Sequence, residues 1–251
     1  MISIGKIRDL TTRHQTTELN ATREYFQHLF LNYFYQQSTA GSIYFKGGTA
    51  LKIIYQSPRF SEDLDFSAHK LDVKDLEQAI LSSLDAIEKE NVTVSLREAK
   101  TTSGGYLADI VFESPSFQRL TIQLEISFRK GNLRGNVTTI SSDYTLPYTI
   151  NGLALDQLVD EKIQALFFRK KPRDFYDLYF ILRSNLLPPS KKGVLQEALK
   201  ILKKTDINFE NELKIFLPKS HWAIIRDFKS TLEGEIQRFG NFYAKQYTDK
   251  P

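Results

Sequence analysis

Two short segments of the chain carry residue types that handle phosphates and the cations that accompany them. The first is Phe45-Lys46-Gly47-Gly48-Thr49-Ala50-Leu51-Lys52; the second is Arg59-Phe60-Ser61-Glu62-Asp63-Leu64-Asp65-Phe66. Ile43, Tyr44 and Phe45 lead into the glycines as a short strand does, and Ala50, Leu51, Ile53 and Ile54 follow as the apolar side of a helix. The spacing predicts a glycine turn that opens a helix. Free backbone N–H groups and the positive end of the helix dipole attract phosphate there, and glycine lets a ligand approach the backbone closely. In the second segment Arg59, Ser61, Asp63 and Asp65 alternate with Phe60, Leu64 and Phe66, which predicts one strand with its polar set on a single face. Carboxylates two residues apart on a strand lie roughly 6–7 Å apart along it, close enough to share divalent ions. An isolated Asp-x-Asp is as readily a solvated edge. The Gly-Gly-Thr turn just upstream is what singles this pair out.

A third block lies further along: Glu161-Lys162-Ile163-Gln164-Ala165-Leu166, then Arg169, then Arg173-Asp174 and Asp177-Leu178-Tyr179. In this order the three blocks resemble the nucleotidyltransferase toxins of the AbiEii/AbiGii class, within the polymerase-β-like nucleotidyltransferase superfamily. The resemblance runs from about residue 43 to residue 183. It implies an α+β protein, with a polymerase-β-like nucleotidyltransferase core of mixed sheet and flanking helices followed by a helical C-terminal half. It also implies metal-dependent transfer of a nucleotide from an NTP, with Mg2+ or Mn2+, to an acceptor such as tRNA. A bacterial toxin–antitoxin or abortive-infection role, with a cognate antitoxin as partner, is implied in the same way.

Carried onto this chain, the resemblance assigns residues to a site. Gly47, Gly48, Thr49 and Ser61 would contact the triphosphate, with the Thr49 hydroxyl taking part. Asp63 and Asp65 would hold metal, joined by a third carboxylate from a neighbouring strand. Glu125 fits that slot, and Asp109 competes for it. Glu125 sits among Leu124, Ile126 and other apolar residues of an expected strand, where a buried carboxylate needs a cation or a donor. A salt bridge to Arg129 or a solvated sheet face would also satisfy it. Lys162 and Arg169, seven apart, share a helix face and would meet the triphosphate or the acceptor backbone. Asp174 would join them at the nucleotide, and Asp177 would orient Lys162 or act as a base. Both aspartates also stand where a helix begins and could simply cap it. Arg59 could pair with Asp63 or reach a phosphate.

Composition narrows the remaining classes. Hydrophobic residues make up 41% and charged residues 25% of the 251, as in globular proteins. The absence of cysteine excludes disulfides, thiol catalysis and cysteine-ligated zinc. His14, His28, His69 and His221 lie at no metal-ligand spacing and outside the three blocks, so a Ser/His/Asp hydrolase has no support. No apolar run reaches the length of a membrane span, and the N-terminus lacks the apolar core of a signal peptide; a cytoplasmic protein is expected. The net charge of +4 is unevenly spread, with 13 basic against 16 acidic residues in 1–125 and 21 against 14 in 126–251. A basic half suits a polyanion such as RNA, although ordinary surface variation produces the same asymmetry.

The elements expected to position these residues follow from hydrophobic period. Residues 18–37 read as a helix with an inward stripe of Leu19, Phe26, Leu29, Phe30, Tyr33 and Phe34, and residues 72–90 as another. Strands are expected at 92–98, 105–113 and 119–128, with the glycine-rich loop 130–136 ending the sheet. Helices are expected from Leu155 through Phe167, around Phe175–Leu182, and over 190–204 and 220–240. A boundary near Asn151-Gly152 would separate a core domain, 1–150, from a helical domain, 151–251. Two rival functions fit the same residues: a nucleotidyltransferase or phosphotransferase acting on a protein or small molecule, and a non-catalytic domain that binds nucleotide or RNA.

Overall fold

Thr17 starts the first long helix of the core: its side chain accepts from the Asn20 amide and caps α2, Glu18–Phe34. The computed structural model describes residues 1–248, with side chains described as far as Phe239. Ahead of α2 lies α1, Ile4–Arg13, unmarked in the sequence because it buries only Ile7 and Leu10. α2 is buried on most of its sides and not along one stripe. Leu19 is exposed, whereas Glu24, Gln27 and His28 are buried with polar partners. It touches α1, α4 (Val73–Glu88), β5 (Phe117–Phe128) and β7 (Tyr148–Leu153), so polar side chains on it must find partners inside.

One such partnership predicts a pH response. The His28 Nδ1 lies 2.7 Å from the Tyr148 hydroxyl, its ring stacks on Tyr144, and the Tyr144 hydroxyl donates to Glu24 at 3.1 Å. Burial, reinforced by the Lys52 charge, pushes the His28 pKa down from 6.5 to about 3. Below pH 6.5 the unfolded chain therefore takes up a proton that the folded chain refuses. Stability is expected to fall as the pH drops from 6.5 towards 3, by about 1.4 kcal/mol per pH unit for this group, and to owe nothing to it above that window. Urea unfolding at stepped pH checks this: His28→Gln should flatten the acid limb, and parallel curves would remove His28 as its cause.

The remaining elements of the first compact unit, Met1–Ala154, are β1 (Ile43–Lys46), α3 (Gly47–Ile53), β2 (Leu64–Ala68), β3 (Thr93–Thr102), β4 (Gly105–Ser114) and β6 (Gly135–Ile140). They build one seven-stranded mixed sheet in the order β3-β4-β5-β2-β1-β7-β6. β2 runs parallel to β5 and β1 parallel to β7, and the other neighbours are antiparallel. One face carries Phe45, Phe66, Ile126 and Tyr106 in register, all buried. Aromatic packing continues from Phe66 to Phe34 and from Phe26 onto Phe112.

Three expectations change here. The sheet does not end at the glycine-rich loop: β6 and β7 extend it, because Gly152 pairs with Phe45 across more than a hundred residues. β7 therefore runs through the expected boundary near residue 150, and the first unit closes at Ala154. The strand expected over 59–66 contains only Leu64 onward, and residues 59–63 are irregular.

The second unit, from Leu155 onward, contains α5 (Leu155–Arg169), α6 (Pro172–Arg183), α7 (Val194–Lys204), α8 (Phe209–Leu213), α9 (Trp222–Arg226) and α10 (Phe228–Thr248). The expected helix over 220–240 is interrupted at Asp227, whose backbone leaves the helical region. Its core gathers Ile163, Leu166, Phe175, Tyr176, Leu202 and Phe228 among others, with Tyr176 stacked on Phe228. Among the described residues no helix is long and apolar enough to cross a membrane.

Candidate active site

The face of the sheet opposite Phe45 and Phe66 brings the polar residues together. Lys46 on β1 pairs with Asp65 on β2, and Asp65 pairs with Glu125 on β5. Paired residues share a face, and neighbouring strands lie about 4.8 Å apart, so one row across the sheet reads Lys46, Asp65, Glu125. Lys46 is buried and donates to the Ser127 hydroxyl at 3.3 Å, Asp65 is half-buried, and Glu125 is exposed. The expected burial of Glu125 is corrected: its alternation with Leu124 and Ile126 turns it to the open face. Asp109 shares that face two strands from Asp65, opposite Gln123. Its carboxylate is bonded to Arg97 and Gln123, and the Arg97 bond holds its pKa below the usual range. Asp109 is thus a tied carboxylate, one strand too far from Asp65.

The irregular stretch before β2 is held by side chains in place of a ladder. Four successive carbonyls each accept a side-chain hydrogen bond: Phe60 from Arg59 at 3.0 Å, Ser61 and Glu62 both from Gln27 at 3.0 and 3.1 Å, and Asp63 from Thr49. Gln27, Thr49 and Arg59 are all buried. Buried donors of this kind satisfy carbonyls that no strand ladder reaches. Thr49 accordingly departs from the expected phosphate role for its hydroxyl: that hydroxyl is spent on the Asp63 carbonyl inside the protein. Gln27 and Lys46 went unnoticed in the sequence. The only signal was a glutamine on the otherwise apolar flank of α2 and a lysine ending a buried strand.

The glycine turn is pressed against this stretch. Gly47 has φ +81°, and a Cβ there would collide with the Asp65 carboxylate. A Cβ on Gly48 would lie 2.6 Å from the Arg59 guanidinium and 2.7 Å from the Ser61 hydroxyl. Gly47, Gly48, Ser61, Asp65 and Arg59 therefore meet in one place. Both glycines are required by close approach, and Gly47 also by its backbone.

In the second unit α5 and α6 bring their motif residues into two ion pairs. Lys162 lies 2.8 Å from Asp177, with both side chains nearly buried. Arg169 lies 2.6 Å from Asp174, which is 1% exposed and also accepts the Lys171 amide at 3.1 Å. Asp174 thus caps the start of α6 and pins the Arg169 guanidinium, so its carboxylate is engaged by the protein and is not presented to a nucleotide. Asp177 is set against Lys162, as an orienting residue would be.

A family model described as nucleotidyl transferase AbiEii toxin, Type IV TA system, matches residues 29–243. The chain belongs to the AbiEii nucleotidyltransferase toxin family. It is therefore a nucleotidyltransferase of a toxin–antitoxin type. Among solved structures, JHP933 from Helicobacter pylori is similar at 20% identity and TM-score 0.68, over 93% of this chain and 97% of that one. MenT4, the nucleotidyltransferase toxin Rv2826c from Mycobacterium tuberculosis H37Rv, is similar at 13% identity and TM-score 0.64, over 96% and 90%. A search of curated protein sequences finds no match.

Whether an AbiEii-family site of this composition suits a metal is a question of donors. Among the described residues no three His, Asp or Glu side chains surround one point, so Asp63, Asp65 and Glu125 do not form a closed cage. Magnesium is characteristically held by one or two carboxylates and completes its octahedron with water and substrate phosphates. An all-oxygen set with Asp65 and Glu125 in register fits that requirement.

The AbiEii-family turn yields a direct prediction. Gly47→Ala should lose about 1–2 kcal/mol through backbone strain alone, and more by displacing Asp65. Turnover should fall by on the order of a hundredfold, the cost of a 1 Å misplacement. Gly41→Ala, with nothing within 4 Å of the new methyl, is the control. Urea unfolding and turnover on both variants check it, and a Gly47→Ala protein as active as the control would refute the close-approach argument.

Proposed function

We propose that this AbiEii-family enzyme transfers a nucleotide from an NTP to the end of an RNA, with tRNA as the acceptor class, in a magnesium- or manganese-dependent reaction in the cytoplasm. One observation carries the reading: Asp65 stands in register with Glu125 and packs directly against Gly47, so the carboxylates adjoin the backbone of the glycine turn. Asp63, Asp65 and Glu125 would hold the cation, which neutralises triphosphate charge and steadies the leaving group. Around it, the Gly47–Thr49 backbone would receive phosphate oxygens, with Ser61 and Arg59 beside them. Gln27 and Thr49 act indirectly, by holding the carbonyls that set Asp63. Lys162 would bind the triphosphate or the acceptor, with Asp177 keeping its ammonium in place, and Arg169 would do the same under Asp174. The family's Type IV description implies an antitoxin as partner.

The test is incubation with each NTP, labelled in parallel at the α- and at the γ-phosphate, with magnesium and total RNA, beside Asp65→Asn. Label on a tRNA-sized band that requires Asp65 is the expected result, and it names the base. Label on protein instead would replace RNA with a protein acceptor. Transfer only from γ-labelled NTP would replace nucleotidyl with phosphoryl transfer.

A further inference from the structure

At the end of α5 and before α6 the chain sets an exposed aromatic ring beside consecutive cations. Phe168 is 81% exposed, and Arg169, Lys170 and Lys171 follow it, all exposed. Helical period turns Leu166 into the core and its neighbour Phe168 outward. The sequence continues Phe168-Arg169-Lys170-Lys171 before Pro172 starts α6.

The turn is built rigidly. Lys170 adopts φ +53°, the left-handed conformation in which helices commonly end, here directly after α5. The buried Asp174 carboxylate holds the Arg169 guanidinium at 2.6 Å and the Lys171 amide at 3.1 Å, so one anion locks both sides of the bend. An exposed ring on a fixed bend, flanked by three cations, is an ordered platform and loses little entropy when a ligand binds.

We propose that the Phe168–Lys171 turn is a contact site for single-stranded RNA, with the Phe168 ring as a base-stacking platform and Lys170 and Lys171 on the flanking phosphates. The inference rests on the RNA-acceptor reading and deepens it by naming where the acceptor strand is gripped. Aromatic rings interleaved with cations are how proteins hold single strands without reading their sequence. A duplex hides its base faces, so a lone ring selects an unpaired end. Two other partners fit less well. Lysine is depleted from protein–protein interfaces, and one ring with three cations is weak beside the two signals a stable membrane anchor takes.

The experiment is fluorescence anisotropy with a fluorescein-labelled single-stranded oligoribonucleotide, repeated over a salt series, on the full chain and three variants whose circular dichroism matches it. Phe168→Ala should weaken binding roughly 5- to 150-fold with its salt slope kept, which is the loss of one stacked base. Phe168→Trp should restore the affinity. Lys170→Gln with Lys171→Gln should lower the slope of log affinity against log salt by about 1.4, for two released counterions on a single strand. If the full chain binds RNA and these variants bind it equally well at every salt, the turn is not the contact, and the acceptor reading stands. If the full chain binds no RNA, both fail together. Variant-sensitive binding to vesicles containing anionic lipid, without binding to RNA, would reassign the turn to a membrane surface and overturn the proposal.

Discussion

Asp65→Asn is expected to reduce nucleotide transfer by at least about a hundredfold, the size of effect seen when one preorganised electrostatic contact to a transition state is lost, while the protein stays folded. The side chain lies between Lys46 and Glu125 in the polar row, against Gly47. Asparagine keeps its size, its place in the strand and its fit over the glycine. Only the charge goes, together with its capacity to bind a hard cation. The stability change should therefore stay within about 1 kcal/mol. Asp109→Asn is the informative partner variant, since Asp109 shares the sheet face yet is tied to Arg97 and Gln123. It should lose some stability and keep its turnover. A well-folded Asp65→Asn enzyme with full turnover would remove Asp65 from the site, and an inactive Asp109→Asn enzyme would move the third carboxylate to that strand.

The second large effect concerns stability. Asp177→Leu should destabilise the protein by about 3–5 kcal/mol, because it leaves the Lys162 ammonium buried without its 2.8 Å partner. Replacing both, as Lys162→Met with Asp177→Leu, should recover most of that stability, since an apolar pair of similar volume removes the stranded charge. Turnover should not recover with it. Urea unfolding and NTP turnover on the two single variants and the double variant separate the roles. Recovered activity in the double variant would mean that the pair serves the fold alone.

The legible part of this site was its chemistry. Gly47, Gly48, Asp63, Asp65, Lys162, Arg169 and Asp177 stand out because their types and intervals are rare in combination, and because each interval spans few residues. Parts of the fold were readable for the same reason: α4 and β4 follow a local period that burial imposes on a helix or a strand. Gln27 was not readable. Its role depends on carbonyls 34 and 35 residues away that no ladder satisfies, and nothing local to α2 announces that need. Asp174 was readable either as a nucleotide-facing group or as a helix cap, and only its Arg169 and Lys171 bonds show the cap.

The amino-acid sequence by itself therefore determined the family and the mixed sheet followed by helices, and it named a set of candidate site residues, because motif blocks and hydrophobic periods are local. Tertiary structure alone decided which carboxylate stands beside Asp65, that Glu125 faces outward, that Thr49 and Gln27 hold a loop, and that β7 closes the first unit. Those outcomes are set by strand register and by the partners that buried polar groups must find. Both join residues far apart in the chain, where no period carries the information.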